Sequence, residues 1–163
     1  EPHNWVTAWV AITDSNENNG CMRMLSGSHK DNLKDHDQNF NERNLLTRGQ
    51  TINNVPKEKT TPLILKAGQM SLHHPTVVHG SDLNHSNDRR IGFVIQSYIG
   101  TNVKQVLGKN SVQLARGKDN FNFHKKIGRP KSLLDKNDLK IKKRENDNLQ
   151  EIFYKGSSKK GTY

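Results

Sequence analysis

Residues 68–98 read GQMSLHHPTVVHGSDLNHSNDRRIGFVIQSY, strand-like apolar runs interrupted by histidines and a pair of arginines. His79 sits in the run Val77-Val78-His79-Gly80-Ser81, and Arg90 follows eleven residues later at the head of Ile91-Gly92-Phe93-Val94-Ile95. Between them, Asp82 to Asp88 contains Asn84, Ser86, Asn87 and Asp88, whose short side chains bond to nearby backbone and favour turns. The pattern predicts a hairpin that carries His79 and Arg90 to one place. A neutral imidazole at a strand end suits a divalent transition metal, and a guanidinium beside it forks onto a carboxylate without losing its charge. Together they point to a metal that holds an acid. A histidine and an arginine at this spacing also occur on ordinary packed or solvated faces, so the reading depends on the rest of the chain.

Upstream, Trp5 to Asp14 (WVTAWVAITD) alternates small and bulky residues with β-branched ones, the pattern of a half-buried strand with Thr7, Trp9 and Ala11 on one face. DSNENNG, residues 14–20, is a turn by composition, since Asn19 and Gly20 both tolerate positive φ. CMRMLSGSHK from Cys21 reads as a strand ending in a Gly-Ser turn, with His29 capping that loop rather than acting as a ligand. TTPLILK, residues 60–66, is a strand with Pro62 near its start, where a missing amide hydrogen is tolerated. Ala67-Gly68-Gln69 then turns it into Met70–His74 as its partner strand. His73 and His74 alternate across that strand, so at most one faces inward. Arg90–Tyr98 is the most hydrophobic strand and is expected to cross the core, with Gly92 where a bulky side chain would crowd a pocket. Short strands between turn signals, with no βαβ alternation, indicate an all-β sandwich or barrel.

The strings TAWVAITD, NNGCMRMLSGSHK and KAGQMSLHH, and HGS with an arginine eleven residues after its histidine, together resemble the phytanoyl-CoA dioxygenase family of non-haem iron, 2-oxoglutarate-dependent oxygenases. The resemblance covers roughly residues 5–155. It implies a double-stranded β-helix, a jelly-roll or cupin-like barrel, here partial and followed by a C-terminal helix. It assigns His79 to iron, Arg90 and Ser81 to the distal carboxylate of 2-oxoglutarate, and Trp9 to the lining of the 2-oxoglutarate pocket. Arg89 is the wrong neighbour by that count, and His74 is a candidate for a supporting position behind the ligand. The implied activity is that of an iron(II)- and 2-oxoglutarate-dependent dioxygenase hydroxylating an unactivated C–H bond of a small organic or acyl substrate. Dioxygen is consumed, succinate and carbon dioxide are released, and ascorbate belongs among the implied cofactors.

Such a centre uses two histidines and one carboxylate. The family's His-x-Asp pair has no match before the first strand: His3 is followed two positions later by Trp5, not Asp. The expectation is a C-terminal portion of the enzyme, inactive by itself. Family members with a small residue in place of that Asp halogenate instead, which leaves halogenation as an alternative. A third reading is a non-catalytic β-barrel binding module whose basic tail contacts an acidic partner.

With 31% hydrophobic and 6% aromatic residues, 163 residues make a lean core for one domain. The single Cys21 excludes an internal disulfide and fits a reducing cytoplasm. No run approaches membrane-span length. The net charge of +10 is concentrated, because residues 125–163 carry twelve Lys and Arg against five Asp and Glu. Few aromatics accompany them and no zinc or helix-turn-helix pattern is present, which argues against nucleic-acid binding and for a solvated basic helix. The expected organisation is therefore an oxygenase part over 1–124 and a basic helical tail over 125–163. Within the first, 31–59 is a polar surface excursion or lid whose ordered piece is Asn44–Gln50. Val103–Leu107 and Ser111–Gly117 are expected to be extended, Phe121 and Phe123 to dock their segment, and 135–155 to be helical, with GSSKKGTY frayed. Substrate identity and oligomeric state are not written in the sequence.

Overall fold

The computed structural model describes residues 1–31, 33–38 and 49–157. Most of the Asn44–Gln50 piece, and the last six residues of the tail, lie outside the described residues. The strands are β1 (Trp5–Ala11), β2 (Met22–Leu25), β3 (Asp37–Gln38), β4 (Gln50–Thr51), β5 (Thr60–Pro62), β6 (Met70–His73), β7 (His79–Ser81) and β8 (Gly92–Ile99), followed by one helix, α1 (Lys136–Phe153). The chain divides into two compact units: Trp5–Asp37 with Thr51–Ile99, and Glu1–Asn4, Gln38–Gln50 with Gly100–Tyr163.

The first unit holds two antiparallel three-stranded sheets, ordered β6-β1-β8 and β5-β2-β7. The chain is thus β-rich with a C-terminal helix, as its pattern predicts. Among the described residues the strands form these two open sheets, a two-stranded pair β3-β4, and no closed barrel. β1 is central because its alternation suits both neighbours: Trp9 faces Ser71 of β6 and Val94 of β8, while Ala8 faces Leu72 and Ile95. Directly paired residues share a sheet face. One face therefore carries Thr7, Trp9 and Ala11, and the other carries Ala8 and Val10 with Met70, Leu72, Phe93 and Ile95. The buried apolar residues of this unit are Ala8, Trp9, Ala11, Cys21, Val77 and Val78.

The expected β7–β8 hairpin does not form, because β7 pairs with β2 and β8 pairs with β1. The connecting loop uses its turn-forming residues as the sequence predicts. Asn84 Nδ2 donates to the Asp88 carbonyl at 2.7 Å, and the Ser86 amide donates to Asn84 Oδ1 at 2.8 Å. Long-range bonds redirect the chain. The His85 amide donates to the Asn18 carbonyl at 2.9 Å, and Thr13 Oγ both donates to the Arg89 carbonyl and accepts from the Ile91 amide, each at 2.9 Å. The chain therefore leaves one sheet and enters the other.

The expected pairing of 60–66 with Met70–His74 fails for the same kind of reason. β5 lies beside β2, and Leu65 bridges to Ser15. The Asp14 carboxylate accepts from the Ala67 amide and from Lys66 Nζ, both at 2.9 Å, so the Ala67-Gly68-Gln69 turn hands the chain to β1 instead. Gly68 has φ of 85°. β8 does not cross the core as expected: it is an edge strand, and Phe93 is 60% and Leu72 of β6 is 64% exposed.

In the second unit, α1 lies where the sequence predicts a helix. Its N-cap is Asp135, whose carboxylate accepts from the amides of Asn137 (2.9 Å) and Asp138 (3.1 Å). Residues 103–107 and 111–117 form no strands; only Val112 makes a bridge, parallel to Lys126. Phe121 and Phe123 pack on each other at 5.4 Å between ring centroids and stay half exposed. Too few apolar neighbours alternate in these segments to support a ladder. No helix among the described residues is long and apolar enough to cross a membrane.

The helix is pinned through Glu145. Its carboxylate accepts from the Ser111 amide at 2.8 Å, Ser111 Oγ at 2.9 Å, Asn110 Nδ2 at 3.2 Å and Arg144 Nη2 at 2.6 Å. Burial works to raise its pKa, but the Ser111 amide, Arg144, the Ser111 hydroxyl and Asn110 outweigh it and hold the carboxyl at about 2, against 4.5 ordinarily. A folded-state pKa below the unfolded one stabilises fully above the unfolded value and is lost as pH falls through the folded one. Glu145→Gln should lower the unfolding free energy at pH 7 by about 1–3 kcal/mol. It should also flatten the acid dependence of stability between pH 4.5 and 2, measured by urea titration of helix circular dichroism.

Candidate active site

The candidate residues all belong to the first unit, on the faces of its two sheets that carry Trp9 and His79. Thr7 is paired with His73, and Trp9 with Ser71 and Val94, while His79 is paired with Met24 and Ser81 with Met22. The row on β6 and β1 is thus Thr7, Ser71 and His73 with Trp9 and Ala11, and on β7 His79 and Ser81 lie opposite Met24 and Met22 of β2.

His79 opens β7, and its Nδ1 lies 2.9 Å from the Val77 carbonyl. A carbonyl only accepts, so Nδ1 carries a proton, and in the neutral ring Nε2 is the nitrogen left with its lone pair, the tautomer a metal-ligating histidine adopts. The segment before it is held rigidly. Val77 and Val78 are buried, the Val78 amide donates to Ser28 Oγ at 2.9 Å, and Ser28 Oγ donates to the Leu25 carbonyl at 2.7 Å. The capping expected of His29 is carried out by Ser28, which the sequence reading passed over. A serine followed by a more conspicuous histidine gives no signal that it is the buried one.

The ring beside His79 is that of His73, 5.7 Å away between centroids. Burial, and then repulsion from a protonated His79, push the His73 pKa below its usual value. His74, expected as the supporting histidine, turns to the other side of the strand. Its Nδ1 hydrogen-bonds Thr76 Oγ at 2.8 Å, and its ring lies 5.4 Å from that of His29. Among the described residues no group of three or more His, Cys, Asp or Glu side chains could hold a metal ion. The fit to iron is therefore that of one histidine ligand, tautomer set, and not of a whole centre.

Arg90 Nη2 donates to Ser81 Oγ at 3.3 Å, and its Cζ lies 5.6 Å from the centroid of the Trp9 ring, within cation–π range. The four sequence-predicted residues are thereby divided into His79, beside His73, and a cluster of Arg90, Ser81 and Trp9. Arg89 instead contributes its carbonyl to Thr13. Thr13, missed as a contributor, fixes the backbone on both sides of Arg90; its place at every second position after Trp9 and Ala11 was the available hint. Gly92 lies against the Trp9 ring, so the crowding expected at this glycine falls on Trp9. The cluster offers a planar cation, a hydroxyl and an apolar wall, a combination suited to a carboxylate.

Ser28→Ala removes a donor and an acceptor from a buried position. It should destabilise the protein by about 1–3 kcal/mol, read from urea unfolding; a change within error would remove Ser28 as the support of the Val77–His79 segment.

The family profile described as Phytanoyl-CoA dioxygenase (PhyH) matches residues 1–92. The peroxisomal phytanoyl-CoA dioxygenase of Homo sapiens is 34% identical over 80 residues, covering 48% of this chain and 24% of the human protein. The probable alpha-ketoglutarate-dependent hypophosphite dioxygenase of Stutzerimonas stutzeri is 31% identical over 119 residues, covering 66% of this chain and 39% of that protein. The solved apo structure of the non-heme monooxygenase ThoJ superposes with a TM-score of 0.80 at 28% identity, covering 95% of this chain and 56% of that one. The chain thus spans between about a quarter and two-fifths of the length of these two curated relatives. The profile match takes in more than half of the chain, including Trp9, His79, Ser81 and Arg90, and the chain belongs to the phytanoyl-CoA dioxygenase family.

Proposed function

We propose that the protein acts as a non-haem iron(II), 2-oxoglutarate-dependent oxygenase, its two sheets forming part of a double-stranded β-helix. The observation that carries this reading is the meeting of Arg90, Ser81 and Trp9 in the same unit as a His79 whose Nδ1–H is already engaged. Family membership supports it, as does the relative whose name specifies alpha-ketoglutarate dependence.

In this reading Arg90 presents its guanidinium fork to the far carboxylate of 2-oxoglutarate, and the Ser81 hydroxyl rotates to donate to the same group. Two charge-assisted bonds from fixed donors set the orientation of the cosubstrate. Trp9, buried against Gly92, keeps water from one side of that ion pair and so strengthens it. His79 Nε2 is the iron ligand this chain contributes. Bound together, iron and 2-oxoglutarate supply oxidation of a substrate C–H bond by dioxygen, with succinate and carbon dioxide as coproducts. The substrate is a small organic or acyl molecule.

Succinate release by the full-length protein with iron(II) and 2-oxoglutarate tests the reading. Arg90→Ala should raise the KM for 2-oxoglutarate by about tenfold or more, given about 1.5–3 kcal/mol for hydrogen bonds to a charged group. An unchanged KM would take Arg90 out of its role. His79→Ala should abolish turnover, and activity surviving it would direct attention to His73. Absence of succinate from the unmodified protein would leave a β-sheet binding module.

A further inference from the structure

We infer that Gly92 is a positioning residue for the cosubstrate arginine: by lacking a side chain it seats the Trp9 ring where that ring supports the Arg90 guanidinium. The inference rests on the assignment of Arg90 to the cosubstrate carboxylate. Gly92 is paired with Ala11 and Val94 with Trp9, which puts Gly92 and Trp9 on one sheet face, diagonal to each other. A Cβ built on Gly92 would lie 2.1 Å from Trp9 Cζ2, 2.2 Å from Cε2 and 2.6 Å from Nε1. Separations this short are not sustained, so any side chain there displaces the indole or the strand. Gly92 is not among the glycines with positive φ, so the reason for glycine is space and not backbone freedom.

The displaced ring would matter because of what lies on its face. Trp9 is only 7% exposed, and Arg90 Cζ sits 5.6 Å from its centroid. Thr13 holds the backbone around Arg90 and Ser81 holds one guanidinium nitrogen, and the indole limits the remaining side-chain freedom. An arginine already confined loses less entropy when a carboxylate binds. Gly92 therefore acts on affinity for 2-oxoglutarate through Trp9, without touching the cosubstrate.

The test is calorimetric binding of 2-oxoglutarate to the full-length protein loaded with manganese(II), so that no turnover occurs. Wild type, Gly92→Ala, Trp9→Phe and the double variant are compared, with melting temperatures recorded alongside. Gly92→Ala should weaken binding about tenfold and Trp9→Phe about threefold, with melting temperatures lowered by roughly a few degrees while the protein stays folded at the titration temperature. In the Trp9→Phe background, where the smaller ring makes room for a methyl group, Gly92→Ala should cost far less than it does alone. Wild-type affinity in Gly92→Ala, or an equal loss in both backgrounds, overturns the inference. If Gly92→Ala does not fold, Trp9→Phe decides: weakened binding supports the platform and unchanged binding removes it. A wild-type protein that binds no 2-oxoglutarate overturns the carboxylate assignment first, and this inference with it.

Discussion

Thr13 makes two hydrogen bonds, to the Arg89 carbonyl and from the Ile91 amide, and the first unit depends on them. They join the end of the central strand to the point where the chain passes from one sheet to the other. Arg90 lies between the two bonds, so its side chain starts from a fixed backbone. Both groups held by Thr13 are main-chain groups that water would otherwise have to satisfy, which makes the clamp a structural necessity as well as a positioning device. Ser28 does the equivalent for the segment leading to His79, bonding main chain on two neighbouring stretches through one hydroxyl. The histidine and the arginine are thus presented by separate sheets, each with its own anchor.

The sheet containing β1 has two unlike faces. One presents Thr7, Ser71 and His73 beside Trp9, and the other presents Met70, Leu72, Phe93 and Ile95, all substantially exposed. Strand alternation produces this division directly, since neighbouring residues must point to opposite sides. Of the apolar residues that mark β8 as strand-like, Phe93 and Ile95 therefore lie on the face away from the site, and only Val94 shares the face of Trp9. Beside Val94, β8 gives that face a glycine, Gly92, whose value lies in the room it leaves for Trp9.

Local features were legible because their causes are local. The turn at 14–20 closes through reciprocal bonds between Asn16 and Asn19, the side-chain chemistry that asparagine-rich turns use. Helix α1 begins at an aspartate cap. The 82–88 loop folds on itself through Asn84 and Ser86. The hairpin inferred from that loop was wrong because turn residues specify a reversal of the chain and not the strand that receives it. His74 was preferred to His73 as the supporting histidine, although strand alternation leaves the choice of face open until β6 is paired with β1. The extended segments expected between 103 and 117 had suitable residues but no partners, and a strand needs a neighbour to satisfy its backbone.

By itself the sequence determined the β-rich class, the helix, the turns and the four residues worth following, because each follows from short-range periodicity, from the chemistry of individual side chains or from family motifs. Only the tertiary structure decided which strands share a sheet, that Arg90 rests between Ser81 and Trp9, that His73 is the ring beside His79, and that Ser28 and Thr13 hold the framework. Those outcomes depend on hydrogen bonds between residues that are often fifty or more positions apart, as for Ser28 with Val78 and Thr13 with Ile91. Such bonds are selected by competition among whole strands for partners, and no local pattern records the result.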